Sequence, residues 1–244
     1  LDCSHNWLEK IKFPKKLEEL ILTDNKHFIN SQDILLVKLK KCVIDYKCDF
    51  NFSKTTDLNK IALISNRYSE NNCEKIINVS ILNENVEKIL IKDNSYSGNL
   101  KNLPKKLTTL LIENCCFKNA DNLNCALKCF VSIETNILCN LLYLPSSLEY
   151  LNRECHNYSY DQNFTNIRNI PNSIKYITLG SFNNRYNKVS KIKFPFKLLK
   201  FFLDPHQQNE IKKLFPSITK NIKMFGYNEL LMHQIDNNIY FDQE

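Results

Sequence analysis

A short apolar phrase recurs along the chain: one apolar residue, a second three places on, and a third two places after that. It reads LEELIL at Leu17, LKKCVI at Leu39, LNKIAL at Leu58, VEKILI at Val86 and LTTLLI at Leu107. It recurs at Ile174 (IKYITL) and Leu198 (LLKFFL), with a degenerate form at Ala126 (ALKCFV) and one ending in Arg153 at Leu148 (LEYLNR). The alternating second half has the period of a strand, with its apolar side chains on one face. One strand of that length cannot bury a face by itself. Stacked units can, by laying strand beside strand in a parallel sheet and enclosing the apolar residues between the sheet and the returning chain.

Proline stands three places before the opening residue at Pro14, Pro104, Pro145, Pro171 and Pro195. Its fixed φ and missing N–H suit a corner just before a strand rather than the strand itself. The Lys-Lys or Ser-Ser pair after it is expected to face solvent. Eight places after the opening residue stand Asn25, Asn66, Asn94 and Cys115, where a side-chain donor can satisfy buried backbone groups as the chain leaves the strand. Later units carry His156, Phe182 and His206 there. Successive units open between 19 residues apart (Leu39 to Leu58) and 28 (Leu58 to Val86). That spacing matches the period of about 20–29 residues of leucine-rich repeats and is too short for helical-pair repeats. The predicted fold class is an α/β-type repeat solenoid, a leucine-rich repeat horseshoe with a parallel concave β-sheet and a mostly irregular or short-helical convex side.

The stretch from 143 to 203 contains "LPSSLEYLNRECH" and "IPNSIKYITLGSFNN". It resembles the FNIP repeat, a divergent leucine-rich repeat of amoebae and of the large viruses that infect them. The resemblance is carried by Leu144, Pro145, Ser147, Leu148 and Leu151, then by Ile170, Pro171, Ser173, Ile174, Ile177, Leu179, Gly180, Phe182 and Asn183. Weaker echoes lie at 101–117 and 11–25, and 26–80 matches poorly. The resemblance implies a recognition role, because such repeats often accompany an F-box that recruits a ubiquitin ligase. No F-box-like segment is visible in residues 1–16.

The expected organisation is a single leucine-rich repeat domain over 1–244. Residues 1–16 form an N-terminal cap in which Trp7, Leu8 and Ile11 pack on the first coil, and about nine repeats fill 17–203. Residues 204–244 form a C-terminal cap with a helix near 207–214, a degenerate strand near 218–225 and a closing helix near 227–235.

In this register the second and fourth residues after the opening one face away from the buried leucines, onto the concave surface. The fourth-residue row runs Ile21, Val43, Ala62, Leu90, Leu111, Phe130, Asn152, Thr178 and Phe202. Beside it run Glu19, Lys41, Lys60, Lys88, Thr109, Lys128, Tyr150, Tyr176 and Lys200. An apolar stripe edged by lysines and aromatics reads as a surface for a protein partner. The candidate contact residues are Leu90, Leu111, Phe130, Tyr150, Tyr176, Phe202, Lys88, Lys128 and Lys200. The competing reading makes the fourth-residue row strand-favouring apolar filler, shielded by a neighbouring segment.

Charge adds little: 33 Lys and Arg against 26 Asp and Glu give +7, mostly as scattered lysine. A nucleic-acid groove ordinarily shows clustered arginine and a recognisable motif, so nucleic acid ranks below protein as a partner. Ten cysteines without a signal-peptide layout point to free thiols in a reducing, cytoplasmic setting, in host cytoplasm or virion if the chain is viral. Four glycosylation sequons, at Asn51, Asn78, Asn157 and Asn163, are what so Asn- and Ser-rich a chain produces by chance. No apolar run is long enough to span a membrane.

His5, His27, His156, His206 and His233 fall in different coils or caps, and no phosphate loop, nucleophile elbow or zinc-protease motif occurs. Cys155 and His156 are sequence neighbours that a strand would point to opposite faces. Cys115, Cys116, Cys125, Cys129 and Cys139 lack paired-ligand spacing, so no metal, cofactor or catalytic residue is expected. The favoured expectation is a non-enzymatic, protein-binding solenoid, with a structural or virion-associated assembly component and a lysine-row nucleic-acid binder as alternatives.

Overall fold

The computed structural model describes residues 1–6, 8, 13–23, 25, 38–45, 52, 55–64, 82–92, 97–99, 102–113, 115–119, 123, 126–133, 136–137, 144–154, 170–179, 200–202 and 223–225. These residues carry thirteen strands and no helix. Ten of the strands form one sheet: β1 (Glu19–Leu22), β2 (Lys41–Asp45), β3 (Lys60–Ile64), β4 (Lys88–Lys92), β6 (Thr109–Glu113), β8 (Cys129–Ile133), β10 (Tyr150–Glu154), β11 (Tyr176–Leu179), β12 (Lys200–Phe202) and β13 (Lys223–Phe225). All neighbours pair in parallel and in chain order, which is the topology of a repeat solenoid. The tenth strand, β13, falls at the end of the degenerate strand expected near 218–225 and pairs with β12 at the edge of the sheet.

Three central coils hold a second strand on the return: β5 (Ser97–Asn99), β7 (Cys116–Asn119) and β9 (Asn136–Ile137) form their own parallel sheet. The return side was expected to be irregular or short-helical, yet these coils pair Ser97 with Cys116 and Cys116 with Asn136.

The interior is filled by three rows. The opening residues Leu39, Leu58, Val86, Leu107, Leu127, Leu148 and Ile174 are fully enclosed, as are Leu20, Cys42, Ile61, Ile89, Leu110, Phe130, Leu151 and Ile177 three places on. Leu22, Ile44, Leu63, Ile91 and Ile112 complete the filling. Stacking covers each coil with the next, so each apolar residue is buried by its own repeat equivalents.

The corner before each strand is a hydrogen-bonded turn. Leu17, Leu107, Leu148 and Ile174 donate their N–H to the carbonyls of Pro14, Pro104, Pro145 and Pro171 at 3.2, 3.1, 3.0 and 3.1 Å. The two residues between have negative φ, since the described non-glycine residues with positive φ are His5 and Asn102. Such turns need no glycine, which explains how a chain with three glycines turns this often. The serines at two of these corners are not simply solvated. Ser147 Oγ donates to the Leu127 carbonyl at 2.8 Å and Ser173 Oγ to that of Leu148 at 2.7 Å, tying each coil to the one before.

Cys115 and Asn25 fill the position that the repeat phase assigns them. Asn25 Nδ2 donates to the carbonyls of Cys3 (2.9 Å) and Thr23 (3.0 Å), and Cys115 Sγ to that of Glu113 (3.1 Å). Cys115 sits at the bend between β6 and β7, where departing carbonyls lose their strand partners. Asn66, Asn94, His156, Phe182 and His206 lie outside the described residues.

At the front, Leu1 to His5 run beside β1. Ile21 donates to the Leu1 carbonyl, while Cys3 and His5 donate to the carbonyls of Ile21 and Thr23. Of the expected cap contacts, Leu8 is half-buried and its N–H reaches Asn25 Oδ1 at 3.3 Å. Trp7, Ile11 and both helices expected after 204 lie outside the described residues.

Candidate functional site

The candidate site is the front face of the large sheet, turned away from the leucine interior. Its middle row is Ile21, Val43, Ala62, Leu90, Leu111, Val131, Asn152, Thr178, Phe202 and Phe225, in continuous register. Beside it, on the side where the strands begin, run Glu19, Lys41, Lys60, Lys88, Thr109, Cys129, Tyr150, Tyr176, Lys200 and Lys223.

One coil differs from the sequence expectation by a residue. Cys129, not Lys128, pairs with Thr109, so Leu127 opens the unit and Phe130 points into the interior with no exposure. Lys128 is displaced from the face to the exposed corner before the strand. The physical reason is volume. The expected register would have enclosed Ala126, Cys129 and Val131, whereas the observed one encloses Leu127 and Phe130, each worth about 1.5–3 kcal/mol of burial. The price is Ser132, whose Oγ is enclosed without a partner, at about 1–3 kcal/mol.

The middle row is not an open stripe. Ile21 and Val43 are half-buried, but Ala62, Leu90, Leu111, Val131, Asn152 and Thr178 are all shielded, Leu111 to 1% exposure. Burial in β1 alternates, whereas in β3, β4, β6 and β8 the three central residues are all buried. Ala62, Leu90, Leu111, Val131 and Tyr150 form an apolar cluster of their own, against which Val43, Ile64, Cys129, Ile133 and Tyr176 pack. A parallel sheet buried on both faces is the usual arrangement. The expectation of Leu90, Leu111 and Tyr150 as exposed contact residues is corrected accordingly: they are buried in this second cluster.

What remains accessible is the neighbouring row. Lys41, Lys60, Lys88 and Tyr176 are half-buried, and the Tyr176 ring lies 6.1 Å from the Tyr150 ring at a 38° tilt. For Lys200 and Phe202 the structure describes the backbone on β12, in register with Tyr176 and Thr178.

Two polar residues interrupt the shielded row. Asn152 and Thr178 stand opposite each other on β10 and β11. Asn152 Nδ2 and Oδ1 and Thr178 Oγ1 are enclosed without hydrogen-bond partners among the described residues.

Cys3, Cys42, Cys115 and Cys129 are free thiols. Burial pushes the Cys129 thiol up to about 12, with Lys88 pulling weakly the other way. Among the described residues no three His, Cys, Asp or Glu side chains gather as a metal site, and no helix is long and apolar enough to cross a membrane. A scan of protein-family models finds no match to the chain. A search of the curated proteins finds none either.

Proposed function

We propose that the chain is a leucine-rich repeat solenoid of the FNIP type, and that it acts without catalysis by binding a protein partner across the front face of its sheet. The repeat reading is supported by the recurring proline-carbonyl turn, the polar residue at the bend after the strand, and the parallel stacking of one strand per coil. The functional reading rests on one observation: beside a shielded apolar row, the face keeps Lys41, Lys60, Lys88 and Tyr176 half-open. A cationic and aromatic row on a rigid sheet supplies recognition groups whose spacing is set by backbone pairing. In a larger assembly such a face would serve as the substrate-recognition part of a ubiquitin-ligase adaptor. The free thiols of Cys3, Cys42, Cys115 and Cys129 favour a reducing, intracellular setting.

The test is affinity capture from a cell extract at two salt concentrations, comparing the parent chain with Tyr176→Ala, Lys88→Glu and Lys105→Glu, the last on the exposed corner away from the face. Selective loss of one captured protein in the first two variants, with the third unaffected, supports the reading. Equal capture by all four chains rules the face out. Recovery of nucleic acid alone, released steeply by salt, would favour the lysine-row alternative.

A further inference from the structure

Each of the four ion pairs between described side chains joins neighbouring coils at matching places in the repeat. Lys40 meets Glu18 at 3.0 Å, Lys92 meets Glu113 at 2.8 Å, Lys105 meets Glu84 at 3.4 Å, and Lys175 meets Glu149. Coils repeat the same position at one strand spacing, so a charge is best answered by its opposite on the next coil.

One row breaks this rule. Lys41, Lys60 and Lys88 stand in direct register on β2, β3 and β4, all half-buried, and none forms an ion pair or side-chain hydrogen bond among the described residues. Strands lie about 4.8 Å apart, so three ammonium stems rise within a run of about 10 Å. Like charges directly opposite on neighbouring strands destabilise a sheet, more so where partial burial weakens solvent screening. Glu19 lies in register with Lys41 at one end, and no ion pair joins them. At the other end the row turns neutral at Thr109 and Cys129.

We propose that Lys41, Lys60 and Lys88 form a docking strip for an acidic, extended peptide segment of the partner, with carboxylates on alternate residues; this rests on the partner-binding reading above. Alternate residues of an extended chain are about 6.6–6.8 Å apart, so two or three carboxylates fall within reach of the three stems. The half-buried Val43 and Ile64 on the same face offer apolar contacts beside the strip. A nucleic acid fits less well. The run is short for a phosphate track, Tyr150 is enclosed at 5% exposure, and the half-open Tyr176, which could stack a base, stands four strands beyond Lys88.

The experiment is a fluorescence-anisotropy titration of the full chain with a labelled hexapeptide alternating Glu and Val. The comparison probes are its Gln-Val counterpart and a six-nucleotide oligothymidylate. The Glu-Val peptide is expected to bind at least tenfold more tightly than either, and more weakly as salt rises. Lys60→Glu restores charge alternation in the row, so it is expected to abolish peptide binding while raising the unfolding temperature. Lys60→Gln should give the same directions with smaller size.

Equal affinity for the Gln-Val peptide, tighter binding of the oligonucleotide, or a lowered unfolding temperature in both variants overturns the proposal. If the captured partner survives Lys60→Glu, the acidic strip is wrong and the partner-binding reading stands. If the Glu-Val peptide binds but no partner depends on the face, the strip stands and that reading fails.

Discussion

Asn83 hydrogen-bonds Thr55 across two successive coils, and both residues occupy the corner that proline holds elsewhere. Asn83 Nδ2 donates to the Thr55 carbonyl and lies 3.4 Å from Thr55 Oγ1. Asn83 Oδ1 also accepts from the Asn85 N–H at 2.7 Å, and Thr55 Oγ1 donates to the Phe52 carbonyl at 2.6 Å. Val86 and Leu58 still close the turn onto their carbonyls. Proline fixes such a corner by restricting φ; here buried side-chain hydrogen bonds do so instead.

Asn83→Ala is therefore expected to destabilise the chain by about 1 kcal/mol, because it removes the side-chain hydrogen bonds to the Thr55 carbonyl and the Asn85 N–H and leaves that carbonyl with only its turn bond from Leu58. A Thr55→Ala, Asn83→Ala double variant should cost less than the sum of the two, as the residues share one network. Urea denaturation followed by circular dichroism measures both, and strict additivity would show the two corners to be independent.

Leu111→Asp, on the shielded row, is expected to abolish cooperative unfolding or lower its midpoint sharply. A carboxylate enclosed among Leu90, Val131 and Ala62 has no partner for its charge. A native spectrum with an unchanged midpoint would place the row on the surface after all.

Asn152→Leu and Thr178→Val are expected to stabilise the chain, by about 1 kcal/mol each, since their enclosed polar atoms have no partners to lose. Differential scanning calorimetry reads the shift. A drop in unfolding temperature would mean that ordered water satisfies these groups.

Cys129 is expected to resist alkylation by iodoacetamide at pH 8 in the folded chain and to react once unfolded, as read by peptide mass spectrometry. Its thiol is raised from 9.0 to about 12 by burial. A raised acid keeps its proton longer in the folded state, so its contribution to stability is intact below pH 9 and falls as pH rises towards 12. The slope is about 1.4 kcal/mol per pH unit across that window. Cys129→Ala should flatten the alkaline limb of the stability profile.

Much of this fold was legible because a repeat announces itself. The spacing of Leu17, Leu20 and Leu22 and of their equivalents marked the strands and the interior rows. The prolines marked the corners, and Asn25 and Cys115 marked the bend beyond the strand. The coil at Leu127 departs from the expected register by one residue because Ala126, Cys129 and Val131 are apolar at all three places, whereas Leu127 and Phe130 fill two and leave Ser132 at the third. The pattern records only apolar or polar, whereas the interior selects by volume.

Periodicity alone determined that the chain stacks coils and which residues repeat at each place, because each unit can bury its apolar side chains only against its neighbours. Tertiary structure decided which of those places meet solvent. The row of Leu90 and Leu111 looks outward along each strand, and its shielding comes with the cluster that it forms with neighbouring strands, a relation that no local spacing encodes. The lysine row required both: the sequence places a lysine in each of three units, and only the parallel register brings Lys41, Lys60 and Lys88 side by side, with no ion pair among the described residues.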